Sequence, residues 1–182
     1  MKNHEIKVAL VLLGLLLTLG LLVGGQKIYR ADMVEKPVVK QLLALPCVDE
    51  AVLCNDQGRN TINVHMQSVD NLKQAYNEID QIMAAKFPRG NYGIVLDDQR
   101  NAALQNEWEQ LELALYEAIA SNQYVALEQH LNAVAARNGY TCQLQIDTQY
   151  LYVQLSRGEQ FLYEIIERQP PDSIEAANGE KS

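Results

Sequence analysis

Val8 to Gly25 is a run of eighteen residues without a charge, in which Thr18 carries the only polar side chain. At about 1.5 Å of rise per helical residue the run reaches roughly 27 Å, close to the hydrocarbon thickness of a bilayer. A helix that is apolar on every side has no stripe to turn to water and must be enclosed. A core helix of a globular domain shows a polar face, and this run shows none. It therefore reads as a transmembrane helix over 8–25, preceded by a short tail over 1–7.

A cleaved signal peptide is the rival reading. Lys2 and Lys7 supply a basic start, and Val23-Gly24-Gly25 resembles a small-residue cleavage site. Signal cores, however, run about 7–15 residues and end in Ala-x-Ala. This core is longer, ends in Gly-Gly-Gln, and has no Cys at its end to mark a lipoprotein. A retained anchor is the expectation. Orientation is poorly encoded, because Lys2 and Lys7 before the run are matched by Lys27 and Arg30 after it. A seven-residue tail usually stays on the side of synthesis, which puts the domain outside the cytoplasmic membrane. Gly20 and Gly24 have the G-x-x-x-G spacing of paired membrane helices, but glycine is common in such helices without pairing them.

Beyond the anchor the chain is acidic. The whole sequence has 15 basic and 23 acidic residues, and Lys2, Lys7 and Glu5 precede the anchor, so the remainder carries 13 and 22, a net of −9. Such a surface is repelled by phosphate backbones and anionic lipid heads, which argues against a nucleic-acid partner. Three cysteines, Cys47, Cys54 and Cys142, are an odd number with no C-x-x-C spacing. They read as small apolar filler, with a single bridge in an oxidising compartment as the alternative.

Periodicity predicts an α+β fold in which small helix–strand–strand modules, with antiparallel sheet and packed helices, follow the transmembrane helix. Met33, Val34, Val38, Leu42 and Leu45 form a helical stripe in Ala31–Leu45, with Pro37 in the first turn and Pro46 ending it. Val48–Cys54 and Thr61–Gln67 read as strands joined by a Gly58-containing turn. A helix capped by Ser68 or Asp70 follows, carrying Leu72, Ala75, Tyr76, Ile79, Ile82 and Met83, and then a short strand over Tyr92–Leu96. This first subdomain spans 26–98 and consists of an antiparallel pair plus a crossover strand.

The second subdomain spans 99–169. Leu104, Trp108, Leu111, Leu115 and Ala118 make two heptads of seam on a helix from about Asn101 to Ala120, too short for a coiled coil and better suited to packing on the domain body. A second helix carries Val125, Leu127, Leu131, Val134 and Ala135 and ends at Asn138-Gly139. Tyr140–Ile146, Tyr150–Leu155 and Gln160–Glu167 then read as strands of a meander, the last of them equally compatible with a helix. Residues 170–182 have Ile174 as their only large aliphatic and read as a disordered tail. Helix followed by paired strands thus recurs near 33–67 and near 124–155, with negligible identity between the copies.

Signatures of chemistry are missing. His4, His65 and His130 are the only histidines, and neither a G-x-S-x-G nor a Cys–His arrangement accompanies them. Asp97-Asp98 is the one conspicuous carboxylate doublet, but neighbours on a strand point to opposite faces and cannot form an acid/base pair. Glu107, Glu109, Glu112 and Glu117 read as the wet side of the long helix. The expectation is no enzyme, with no catalytic residues, cofactor or metal site. Tyr150 and Tyr152, opposite Leu151, Val153 and Leu155, form either an exposed aromatic strip for a partner or one covered face of a doubly buried sheet.

The order of elements is similar to that of small bitopic subunits of bacterial secretion, pilus and sporulation machines, a likeness of layout that rests on no motif. The functional expectation is a membrane-anchored, non-catalytic binding or assembly domain, a bitopic subunit of a cell-envelope complex. Its partners would be the bilayer through 8–25 and a protein partner or a second copy. The alternatives are a tethered extracytoplasmic ligand sensor, with its ligand between the sheet and the 101–137 helices, and a domain facing the cytoplasm.

Overall fold

The computed structural model describes residues 35–56 and 58–168, together with Leu15 and Thr18. The expected tail 1–7, nearly all of the expected anchor 8–25, the start of the first helical stripe and the tail 170–182 lie outside the described residues. Among the described residues, no helix is long and apolar enough to cross a membrane.

The fold is α+β. Helix α1 (Lys36–Leu42) has Pro37 in its first turn and buries Val38 and Leu42. Strands β1 (Val48–Asp56) and β2 (Arg59–Met66) pair antiparallel and turn tightly at Gly58, whose φ of +89° needs a residue without a Cβ. Helix α2 (Leu72–Ala84) is capped by Asn71, whose side chain accepts from the Gln74 N–H at 2.9 Å. The cap is one residue beyond Asp70, because Asn71 has the extended backbone of an N-cap and its oxygen reaches the open N–H. Strand β3 (Tyr92–Asp97) returns parallel to β2, giving the sheet order β1-β2-β3 with the parallel pair that a crossover helix requires.

Helix α3 (Ala102–Ser121) is capped by Asn101 and ends at Asn122 in the left-handed region; α4 (Tyr124–Asn138) ends at Gly139. Strands β4 (Thr141–Ile146), β5 (Tyr150–Arg157) and β6 (Gln160–Glu167) form an antiparallel meander in sequence order. The third member is a strand because it buries both faces. Phe161, Tyr163 and Ile165 point to one cluster, while Leu162 and Ile166 point to the other. That filling of both parities is what gave the sequence its helix-like pattern.

The same alternation in β5 joins the two halves. Leu151, Val153 and Leu155 pack with α3 and α4, where the whole seam Leu104, Trp108, Leu111, Leu115 and Ala118 is buried. Tyr152 faces the other way, with Phe161 and Tyr163, into the cluster made by sheet β1-β2-β3, α1 and α2. The second sheet is therefore covered on both faces: by α3 and α4 on one, by α2 and its surroundings on the other. Tyr150 and Tyr152 are not an exposed strip. They stand edge-on to Tyr76 of α2, with ring centroids 5.5 and 5.8 Å away.

Polar bonds secure this junction. The Tyr163 hydroxyl accepts from the Val69 N–H at 2.9 Å and donates to the Gln67 carbonyl at 3.2 Å. Gln154 donates to the Val69 carbonyl at 2.7 Å, and Gln145 accepts from the Lys73 N–H. At the start of the second half, Asp98, with a side chain only 2% exposed, takes a forked pair of bonds from Arg100 at 2.8 and 2.7 Å. Asp98 also accepts from the Tyr163 N–H, and Arg100 reaches Glu164 at 2.8 Å. These carboxylates hold the guanidinium in its charged form.

Two outcomes follow. Asp98→Ala strips the forked bond and leaves a β6 N–H unpaired, so denaturant titration should show a loss of about 2–3 kcal/mol, the half-open Arg100 keeping the value below that of a fully buried pair. Asp147, in the β4–β5 turn, is raised by burial but lowered further by bonds from the Tyr152 hydroxyl and the Tyr150 and Gln149 N–H groups, so its net position is below the ordinary carboxylate value. A depressed folded pKa stabilises fully above the unfolded value of about 3.9 and is lost as pH falls through the folded one. Urea midpoints measured from about pH 5 down to pH 2 should therefore fall further for the wild type than for Asp147→Asn.

Candidate functional site

The groups that chemistry would need are far apart in character. Asp97 and Asp98 diverge as strand geometry requires: Asp97 pairs with His65 at 3.0 Å on an open sheet face, whereas Asp98 is buried against Arg100. His130 lies exposed on α4. Glu107 has a structural use, accepting from Asn138 at 3.0 Å and from the Tyr140 hydroxyl at 3.2 Å. Burial and that carboxylate push Tyr140 up to about 12. Among the described residues, no group of three or more His, Cys, Asp or Glu side chains is placed to hold a metal ion.

The described residues offer an open sheet face, a groove beside α1 and a polar cleft, besides hollows of about 240 and 450 Å³ at the α3–α4 connection. No described residue covers the outer face of β1-β2-β3. Register places Glu50, His65 and Asp97 in one row, then Val52, Asn63 and Val95, then Cys54, Thr61 and Gly93. The middle row is apolar at both ends, with Val52 46% and Val95 49% exposed.

The groove, of about 670 Å³, runs between α1 and the outer edge of β1, which no other described strand pairs. Its wall is Val39, Leu43 and Ala44, its floor is Ala51 to Leu53, and Glu35, Lys36 and Lys40 stand on its rim. Helical geometry accounts for this: Val38 and Leu42 turn inward, so the next residues, Val39 and Leu43, look out over the strand edge. Leu43 is 47% exposed. Covering a side chain this open would remove apolar area from water.

The cleft, of about 400 Å³, is polar and lies where α2 and β3 meet the β4–β5 turn. Arg59 and Arg89 face it together with Asp80, Glu167, Tyr76, Tyr92 and Tyr150. Tyr92 donates to Asp80 at 2.6 Å, and Arg89 stands 3.8 Å from the same carboxylate. Burial and the Asp80 carboxylate push Tyr92 up to about 12; burial, with its tyrosine and acidic neighbours, also raises Tyr76. These are protonated hydrogen-bonding groups at neutral pH. The cleft lies on the α2 side of the second sheet. On the α3–α4 side, between sheet and helices, the described residues are a packed apolar cluster.

The cysteines separate by environment. Cys142 is buried, and its thiol is pushed up to about 12; Cys47 is half-buried and raised by the same cause; Cys54 is exposed on the open sheet face. The filler reading therefore holds for Cys142 and fails for Cys54, whose strand position faces outward. All three are free thiols. A maleimide at pH 7.5 should modify Cys54 promptly and Cys142 on the order of 10-fold or more slowly until the fold is opened by denaturant, as mass spectrometry would show.

Compared with family models, with curated proteins and with solved structures, the chain matches none.

Proposed function

We propose that this chain is a membrane-anchored, non-catalytic binding or assembly domain, a bitopic subunit of a cell-envelope complex. Residues 8–25 span the bilayer in this reading, and the folded domain lies on the extracytoplasmic side. The observation that carries it is the apolar groove between α1 and the edge of β1. It offers backbone pairing and aliphatic contact side by side, which is how strand-adding interfaces gain affinity and selectivity. Its position adds support: α1 begins about ten residues beyond the apolar run, so a tethered partner in the same membrane meets this end of the domain early.

A second reading, a tethered ligand sensor, is favoured by the polar cleft. Arg59 and Arg89 offer partners to a carboxylate, Asp80 and Glu167 to an amine, and the tyrosines offer ring faces.

One set of measurements on the full chain separates the two. Carbonate-washed membranes should retain the protein, and a membrane-impermeant maleimide should label Cys54 in intact cells. Leu43→Lys should strip away associated protein, including further copies, at an unchanged melting temperature. A full-length protein that cross-links to no other protein, a further copy included, in its own membranes would sink the assembly reading. Melting raised by small amino or dicarboxylic acids, and abolished by Arg59→Ala, would favour the sensor instead.

A further inference from the structure

We infer that the groove takes a second copy of this chain, through antiparallel pairing of β1 with β1 about a two-fold axis at Val52; this rests on the assembly reading and names its partner.

The four edge strands of the two sheets are treated differently. The outward backbone of β6 is capped at Tyr163, whose N–H donates to Asp98 and whose carbonyl accepts from Arg100. The end of β4 is held by Lys73, which donates to the Ile146 carbonyl at 2.9 Å. Strand β3 is six residues long, whereas β1 has nine. The centre of β1, Ala51 to Asn55, has no charge, no proline and no bulge. Such devices are what keep edges apart. The ladder irregularity of β1 lies at its start, between Val48 and Glu50.

Register decides which groups are available. The β1–β2 hairpin closes between Asp56 and Arg59, so even-numbered residues of β1 bond to β2. The peptide groups of Ala51, Leu53 and Asn55 therefore point outward. An axis at Val52 sets Ala51 opposite the other copy's Leu53, and Glu50 opposite its Cys54. Moving the axis to Leu53 would set Glu50 against Asp56 of the other copy, and like charges directly opposite disfavour that register. In the Val52 register every acidic side chain meets a neutral one.

Side-chain size agrees with that choice. Ala51 is the small floor of the groove, and a leucine arriving opposite it enters the space beside Val39 and Leu43. Charge agrees as well. The rim of the groove carries Lys36 and Lys40 beside Glu35, one net positive charge, whereas β1 carries Asp49, Glu50 and Asp56 and no basic residue, with Glu50 on the open face of the sheet. A partner strand identical to β1 thus brings negative charge toward positive charge. It would also join the two open faces into one six-stranded sheet with the paired Val52 side chains at its centre.

Directly opposed residues in a non-hydrogen-bonded antiparallel pair lie about 4.5 Å apart at Cα, within reach of a disulfide. The test uses the full chain in its own membranes under mild oxidation. Val52→Cys in a Cys54→Ser background should give at least about 10-fold more disulfide-linked dimer than the wild type, whose Cys54 faces Glu50 in this register. Adding Leu53→Lys should abolish the product. Absence of the Val52→Cys product, at a wild-type melting temperature, overturns the proposal; so does efficient cross-linking of the wild type through Cys54. A photoreactive residue in place of Leu43 then separates the two levels. Capture of a different protein, with no product at position 52, removes the second copy and leaves the assembly reading standing. Capture of lipid alone, or of nothing, removes both.

Discussion

The short link between β2 and α2, residues 67–73, is where the second sheet is attached, and the layered arrangement depends on it. Tyr163 bonds to Gln67 and Val69, Gln154 to Val69, and Gln145 to Lys73. A sheet with one wet face needs no such attachment, since its far side can be solvated. This one has Tyr152, Phe161 and Tyr163 closing the first cluster while Leu151, Val153, Leu155 and Leu162 close the second. Burying both faces forces the polar atoms of β5 and β6 to find partners inside, because an unpaired buried group forfeits its hydration. Nearly all of them do. The Gln154 side-chain oxygen is buried without a partner, while its amide is spent on Val69. The same enclosure sets the position of the polar cleft, which opens where α2 and β3 run past the end of the second sheet.

Most of the architecture was legible in the sequence because it rests on short-range pattern. The stripe on α2, the seam on α3, the glycine after α4 and the alternation in β2 are all local signals, and each marks an element that formed. The misplaced cap at α2 shows the resolution of such signals. Ser68, Asp70 and Asn71 are all capping residues, and backbone conformation selects among them. Strand β6 was ambiguous for a deeper reason: the pattern read from sequence assumes one buried face, and β6 has two. The roles of Asp98 and Glu107 were illegible altogether. Asp98 meets Tyr163 across 65 positions and Glu107 meets Tyr140 across 33, and nothing local distinguishes a clamping carboxylate from a solvated one. The surface features were hidden likewise. Val39 and Leu43 fall outside the stripe of Val38, Leu42 and Leu45, and nothing local in the sequence shows that they stand beside the edge of β1.

The acidic character of the chain and the plain edge of β1 pull in opposite directions, and distance decides between them. A net charge of −9 beyond residue 25 repels other copies in bulk solution. At physiological ionic strength that repulsion decays over about 8 Å. On the proposed reading the uncharged centre of β1, flanked by the apolar groove, acts within contact distance, where Coulomb repulsion from remote acids is screened. In that reading the acidic surface discourages indiscriminate contact while one edge associates, which is selectivity by repulsion elsewhere as much as by attraction there.

On the proposed reading, the apolar run that dominates the sequence has an energetic role beyond location. A five-residue edge pairing with one buried leucine per copy is a small interface, and a free monomer must give up translational and rotational freedom to form it. An interface worth about 4 kcal/mol has a dissociation constant near 1 mM and would leave a dilute soluble domain unpaired. Confinement to a membrane supplies part of that cost in advance, by raising effective concentration and fixing which ends of the two domains face each other. The anchor and the edge are then two halves of one device. The edge is kept weak enough to stay soluble during export, and it becomes sufficient once the span has restricted the chain to two dimensions.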